Sequence, residues 1–219
     1  MRELVLQVAG LGANAEDYHQ RMDSPNQLTA EDPFSLFAQW MKEAESSEPN
    51  DPNAAALATT TPDGRPSVRM VLIKRVDERG FCFFTNAGSR KGTQLAANAQ
   101  AAICFHWKSL RRQVRVEGPV SAMAAADVDA YFHSRSRRSQ IGAAVSAQSR
   151  PLPSRKALEE QVREFGEEHP GEVPRPAYWT GFCVQPQRIE FWKDGADRLH
   201  DRLLFTRETG PWTTTLLYP

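Results

Sequence analysis

The sequence predicts an α+β fold that is mainly β, a barrel of antiparallel strands with helices at its periphery. Two observations carry this expectation. From position 54 onward, short runs rich in β-branched and aromatic residues are separated by tight turn signals. Amphipathic helical patterns are interspersed among these runs, and no glycine pattern of the dinucleotide-binding or P-loop type occurs.

Taken in order, residues 1–30 show no sustained period and read as a variable N-terminal arm. Residues 4–11 are fairly apolar and Ala13-Asn14-Ala15 resembles a small-residue cleavage site, but Glu3 offsets Arg2 and Gln7 interrupts the run. A loosely held arm is preferred to a signal peptide on those grounds. Residues 31–219 form the single expected domain. Asp32 or Glu31 precedes Pro33 and the pattern Phe34, Leu36, Phe37, Trp40, Met41, an amphipathic helix with proline in its first turn.

Strands are expected at 54–61, 67–76 and 81–86, joined by the turns Pro62-Asp63-Gly64 and Asp77-Glu78-Arg79-Gly80. Ser89 opens a short helix reaching about Ala99, and strands follow at 101–107 and 113–120. Helical patterns span 124–133 and 154–168. The proline-rich loop 169–179 then leads to strands at 180–192 and 198–206 and a final run at 212–218.

The 219 residues hold 27 Lys plus Arg against 27 Asp plus Glu, a formal net charge of zero. That argues against a general polyanion binder but leaves room for a locally basic pocket. Cys82, Cys104 and Cys183 are far apart and odd in number, so buried inert thiols in a reducing, cytoplasmic compartment are expected, with neither disulfides nor zinc. No apolar run approaches the length of a membrane-spanning helix. The histidines show no metal-ligand spacing.

Four segments could hold anions. In RMVLIK, 69–74, alternation puts Arg69, Val71 and Ile73 on one face and Met70, Leu72 and Lys74 on the other, so Arg69 and Lys74 cannot serve one compact site without a bulge or a strand end. In TNAGSRKG, 85–92, Arg90 and Lys91 sit in a first helical turn. Cations there oppose the helix dipole unless an anion is present, although an ordinary solvated helix start remains open. Tyr131, Arg135 and Ser139 are spaced so that a helix would stack them on one face. A basic surface turn is the competing reading of that stretch.

The fourth segment is EFWKDGADRLHDRLLF, 190–205. If its second limb is a regular strand, Arg198, His200 and Arg202 share a face near Trp192, and Asp194-Gly195 is the turn. The alternative is a charged ladder that uses Asp201.

In this order, RMVLIK, FFTNAGSRKG, RRQVRVEG, YFHSR…SQIG, the AQS at 147–149 and EFW…RLHDR resemble the pyridoxamine/pyridoxine 5′-phosphate oxidases over about 31–219. The resemblance implies an FMN-binding split β-barrel and a homodimer with two active sites at the subunit interface. It implies that Arg69, Met70, Val71, Leu72, Ile73, Lys74, Phe84, Thr85, Arg90 and Lys91 hold FMN. Gln113, Gln148, Ser149, Trp192 and Arg202 would complete the flavin site, several of them from the other subunit. Lys74, Tyr131, Arg135 and Ser139 would grip the substrate phosphate, and Arg198 and His200 would address the pyridine ring and its reacting carbon. The implied reaction converts pyridoxine or pyridoxamine 5′-phosphate to pyridoxal 5′-phosphate, with hydride passing to the flavin and dioxygen becoming hydrogen peroxide.

The chain departs from the family pattern at Phe84, Ser136, Ala144, Cys183 and Leu216. Three rival readings are a flavin oxidase of another, phenazine-type substrate, a non-catalytic binder of FMN or pyridoxal phosphate, and a nucleic-acid module built on RRQVRVEG. The last lacks aromatic stacking partners, so no nucleic-acid partner is expected, and without a membrane-length apolar run no membrane partner is expected either.

Overall fold

The computed structural model describes residues 28–219. The N-terminal arm, and with it the choice between arm and leader, lies outside the described residues apart from 28–30. Helix α1 (Pro33–Ser47) begins where Pro33 supplies a preset φ and the Asp32 carboxylate accepts a hydrogen bond from the Ser35 amide at 2.7 Å.

The strands are β1 (Ala54–Thr60), β2 (Pro66–Asp77), β3 (Gly80–Asn86), β4 (Gln100–Trp107), β5 (Arg112–Ala122), β6 (Trp179–Val184), β7 (Arg188–Lys193), β8 (Asp201–Thr206) and β9 (Thr213–Leu216). Antiparallel pairings run β4–β1–β2–β3–β6–β5 and return from β5 to β4, closing a six-stranded barrel; β7, β8 and β9 extend outward from β5. Closure removes the exposed edges that an open sheet would carry.

Aromatic residues fill the barrel. Phe37 of α1 lies 4.9 Å from Phe81 and 5.1 Å from Phe105, and Trp40 lies 5.2 Å from Phe191. Each such fully buried side chain contributes roughly 1.5–3 kcal/mol of transfer free energy, so α1 is held by its apolar stripe more than by its caps. Helices α2 (Arg90–Ala97), α3 (Ala125–Ser134), α4 (Arg137–Val145) and α5 (Arg155–Glu168) complete the fold. A second cluster of Val128, Phe132, Ile141, Val173 and Trp179 packs α3 and α4 beside β6.

Several expectations are corrected. The strand expected at 180–192 is two strands. β6 pairs with β3 and the end of β5, whereas β7 pairs with the earlier half of β5. Gly118 marks the corner: a Cβ there would lie 1.9 Å from the Gln185 carbonyl oxygen, so only glycine lets the two backbones approach. The strand expected at 198–206 begins at Asp201, because Ala196–Arg198 form a 3₁₀ turn. Asp197 and Arg198 both adopt left-handed φ, 53° and 63°, which no regular strand tolerates. The helical path through Tyr131, Arg135 and Ser139 is broken at Arg135, whose backbone is extended, and restarts as α4 under a Ser136 cap.

The cysteine reading is corrected as well. Cys82 and Cys183 are directly opposed residues of β3 and β6 and form a disulfide, leaving Cys104 free. Strand pairing brings together two residues that are 101 positions apart, which spacing in the sequence does not reveal. The reducing compartment inferred from unpaired cysteines therefore loses its ground.

Candidate active site

A cavity of about 1060 Å³ opens between the outer face of β2, the ends of β3 and β6, the start of α2, and the α3–α4 junction. Its wall includes Arg69, Met70, Val71, Leu72, Lys74, Phe84, Thr85, Arg90, Lys91, Tyr131, Arg135, Ser139, Gln148 and Ser149. Ile73 does not line it; that side chain is buried in the barrel core. The β2–β3 register shifts between Ile73 and Arg75, at Lys74, and Arg69 and Lys74 both line the cavity.

One end of the cavity is cationic. Ser89 caps α2, its hydroxyl accepting from the Gly92 amide at 3.3 Å. The buried Lys91 ammonium donates to Thr85 Oγ1 at 3.1 Å and Gln148 Oε1 at 3.2 Å. Burial, and then the nearby Arg69, push the Lys91 pKa down. Arg69 donates to Thr59 Oγ1 at 2.7 Å and Ser67 Oγ at 2.6 Å, and burial followed by Arg90 lowers its pKa too. Among the described residues, no carboxylate lies within ion-pair distance of Arg69, Arg90 or Lys91. Cations gathered at a helix N-terminus without a counter-ion suit a phosphate.

The other end carries Lys74, Tyr131, Arg135 and Ser139. The Arg135 guanidinium sits 5.0 Å from the Trp179 ring centre, and its Nη1 is buried with no hydrogen-bond partner among the described residues. Burial lowers the Arg135 pKa and raises that of Tyr131. Such an orphaned donor is costly unless an acceptor arrives, so this end suits a second anion. The rings of Phe84, Tyr131 and Trp179 lie nearly parallel in the cavity wall, with Phe84 and Tyr131 centred 4.0 Å apart. Gly181 leaves the space that Phe84 needs, since a Cβ there would meet its ring at 3.0 Å.

Gln113, Trp192, Arg198, His200 and Arg202 stand outside this cavity. Gln113 opposes Trp192, which opposes Arg202, so the three form one row across β5, β7 and β8. The buried Glu190 carboxylate braces Arg202, accepting from its Nε at 2.9 Å, and also pairs with Arg115. Burial opposes its charge, but the bonds from Arg202 and Arg115 prevail and its pKa falls. The His200 ring centre lies 4.7 Å from that of Trp192, tilted 44° to it, and its Nδ1 lies 3.0 Å from Asp194 Oδ1.

Sequence reasoning missed Trp179, Asn86, Ser67 and Ser136 in the cavity, and Glu190 and Asp194 beside the row. Trp179 reads as the end of a proline-rich loop, and only the β3–β6 pairing brings it to Phe84. The alternation of β7 could have flagged Glu190 as a carboxylate facing the same way as Trp192.

The pyridoxamine 5′-phosphate oxidase family model matches residues 41–169, and the model described as the pyridoxine 5′-phosphate oxidase C-terminal dimerisation region matches 179–219. The pyridoxine/pyridoxamine 5′-phosphate oxidase of Gluconobacter oxydans is 60% identical over 86% of this chain and 94% of its own, and that of Erythrobacter litoralis 60% identical over 89% and 94%. Among solved structures, PhzG from Burkholderia lata in complex with tetrahydrophenazine-1-carboxylic acid superposes with a TM-score of 0.82 at 32% identity, covering 91% of this chain and 96% of that one. An FMN-binding protein from Nostoc punctiforme shares the fold, with a TM-score of 0.70 at 18% identity over 86% and 98%. By the extent of these matches and the barrel they share, the chain belongs to the pyridoxamine 5′-phosphate oxidase family.

Proposed function

We propose that the protein is an FMN-dependent oxidase that converts pyridoxine or pyridoxamine 5′-phosphate to pyridoxal 5′-phosphate. The observation that carries this reading is a cavity with two separate cationic ends, one of them holding the orphaned Arg135 Nη1. Two cationic ends fit two phosphates, one on the flavin and one on the substrate. The close relatives bear names with the same substrates.

The residues present fit FMN. Arg69, Arg90 and Lys91 would hold its phosphate, and the edge of β2 from Met70 to Leu72, with Phe84, Thr85, Gln148 and Ser149, would flank the rest. When bound, FMN supplies a hydride acceptor that dioxygen can reoxidise to give hydrogen peroxide. Lys74, Tyr131, Arg135 and Ser139 would anchor the substrate phosphate and so fix where its 4′ carbon lies. Arg198, always charged, cannot accept a proton and serves to orient the ring and balance its charge. The proton released at the 4′ oxygen or nitrogen needs an acceptor, and His200, beside the row, is the residue able to take it.

A homodimer is part of the proposal. The outer face of β2 leaves Val68 68% and Met70 63% exposed beside the cavity, an apolar surface that a second subunit would cover. The row of Gln113, Trp192 and Arg202 would then complete the cavity of the other subunit, and Trp192 and Arg202 fall within the segment matched by the dimerisation-region model. The basic strand of the nucleic-acid rival has its cations engaged, Arg112 with Glu43 and Arg115 with Glu190.

The test is anaerobic mixing of the FMN-loaded protein with pyridoxine 5′-phosphate. Bleaching of the flavin band, reversed by air, is expected; bound flavin that does not bleach would refute the reading. The likeness to PhzG favours one alternative, a phenazine-type substrate. Equal turnover of phosphorylated and dephosphorylated pyridoxine would remove the substrate-phosphate assignment and favour that alternative.

A further inference from the structure

The Asp194-Gly195 pair reads in the sequence only as a turn, yet the structure places the Asp194 side chain inward and nearly buried, against His200. A buried carboxylate needs compensation. It finds one partner in the Arg111 guanidinium at Oδ2 and the other in His200 Nδ1, 3.0 Å from Oδ1. Its main chain is tied to the same residue, with the Asp194 amide donating to the Arg111 carbonyl at 3.0 Å. We propose that Asp194, braced by Arg111, is a positioning residue that fixes the tautomer and ring orientation of His200 and leaves its Nε2 free for the reaction. This inference rests on the reading of His200 as a site residue.

Two groups compete for Nδ1. The Gly195 amide lies 3.2 Å from it and could donate to it, whereas Asp194 Oδ1 can only accept from it. A charge-assisted N–H···O⁻ bond is the stronger of the two. A bare Nδ1 would also set its lone pair against that of Oδ1. The proton therefore resides on Nδ1 and the second nitrogen keeps its lone pair, as the partner of one ring nitrogen dictates the state of the other.

The local backbone serves this contact. A Cβ on Gly195 would lie 2.0 Å from the Leu199 carbonyl oxygen, so glycine allows the turn to close tightly. The left-handed pair Asp197 and Arg198 then folds the chain back and returns His200 to Asp194. The Trp192 ring, 4.7 Å away, limits rotation of the imidazole on its other side.

The experiment compares wild type, Asp194→Asn, Asp194→Glu, His200→Gln and the Asp194→Asn/His200→Gln double variant, all FMN-loaded and checked for equal flavin content. Asparagine can turn its amide nitrogen toward Nδ1 and favour the other tautomer, while glutamate retains the carboxylate. Asp194→Asn should lower kcat about tenfold or more with KM nearly unchanged, as loss of a correctly poised proton acceptor does. Asp194→Glu should recover part of that loss. In the His200→Gln background the same substitution should cost nothing further, because a residue acting through another is silent once that other is gone.

Long-range ¹H–¹⁵N spectra should place the His200 proton on Nδ1 in wild type and shift it toward Nε2 in Asp194→Asn. An equal loss in both backgrounds, or an unchanged tautomer, would overturn the proposal, as would a His200→Gln enzyme with full turnover. If wild type fails to oxidise pyridoxine 5′-phosphate at all, the functional reading falls by itself, and the tautomer spectra still decide what Asp194 does.

Discussion

The Lys91 ammonium lies 3.1 Å from the Thr85 hydroxyl, buried at the carboxylate-free end of the cavity. Its charge is therefore poorly compensated until an anion binds, and its pKa sits below the ordinary 10.5. A bound phosphate dianion reverses that penalty, so binding takes up a proton at Lys91 once the pH exceeds its lowered pKa. The FMN phosphate is fully ionised above about pH 7 and adds no titration of its own there. Affinity of the apoprotein for FMN should thus be flat while Lys91 is protonated, then fall by up to about tenfold per pH unit on the alkaline side. Flavin fluorescence titrations across that range check this, and Lys91→Arg should flatten the fall because guanidinium stays charged.

Arg135 packs on Trp179 and holds a buried donor without a partner among the described residues, so its removal should be felt by the ligand. Arg135→Ala should raise KM for pyridoxine 5′-phosphate by about 10- to 100-fold, the loss of one charge-assisted hydrogen bond. Turnover of dephosphorylated pyridoxine should hardly change. A similar loss with both substrates in steady-state assays would place Arg135 outside the phosphate grip.

Subunit complementation tests the shared site. In a dimer mixed from Arg135→Ala and His200→Gln subunits, one site carries both lesions and the other carries neither. Unfolding and refolding an equal mixture of the two variants should restore about a quarter of wild-type activity, the share expected for random pairing in a two-fold dimer with two interfacial sites. Recovery no greater than the sum of the separate variants would mean that each site lies within one chain.

The Cys82–Cys183 bond makes a simple prediction of stoichiometry. Under denaturing conditions without reductant, one thiol per chain should titrate, from Cys104, and three after reduction. Reduction, or Cys82→Ser with Cys183→Ser, should lower the unfolding free energy by about 2–4 kcal/mol in denaturant titrations. Three thiols in the unreduced protein would show that the two strands stand side by side without the bond.

Much of the site was legible because local patterns specify local structure. The Ser89 cap, the proline at the start of α1 and the alternation of β2 each depend on a few neighbouring residues, and each appears where expected. What alternation missed was the bulge at Lys74, since a one-residue irregularity is decided by the partner strand β3. The regular strand expected at 198–200 failed for a related reason. Its turn is held by Gly195 closing on Leu199 and by Asp194 reaching His200, contacts that a period-two pattern does not encode.

By itself the sequence determined most of the strands and helices, the net neutrality with local basic clusters, and the order of motifs that marks the family. Only the tertiary structure decided that Cys82 meets Cys183, that Trp179 joins Phe84 and Tyr131, and that the predicted site residues divide between a cavity and a separate row. The physical reason is range. Caps, turns and periodicity act over one to four residues, whereas barrel closure brings together strands that are distant along the chain, and their register settles which side chains meet.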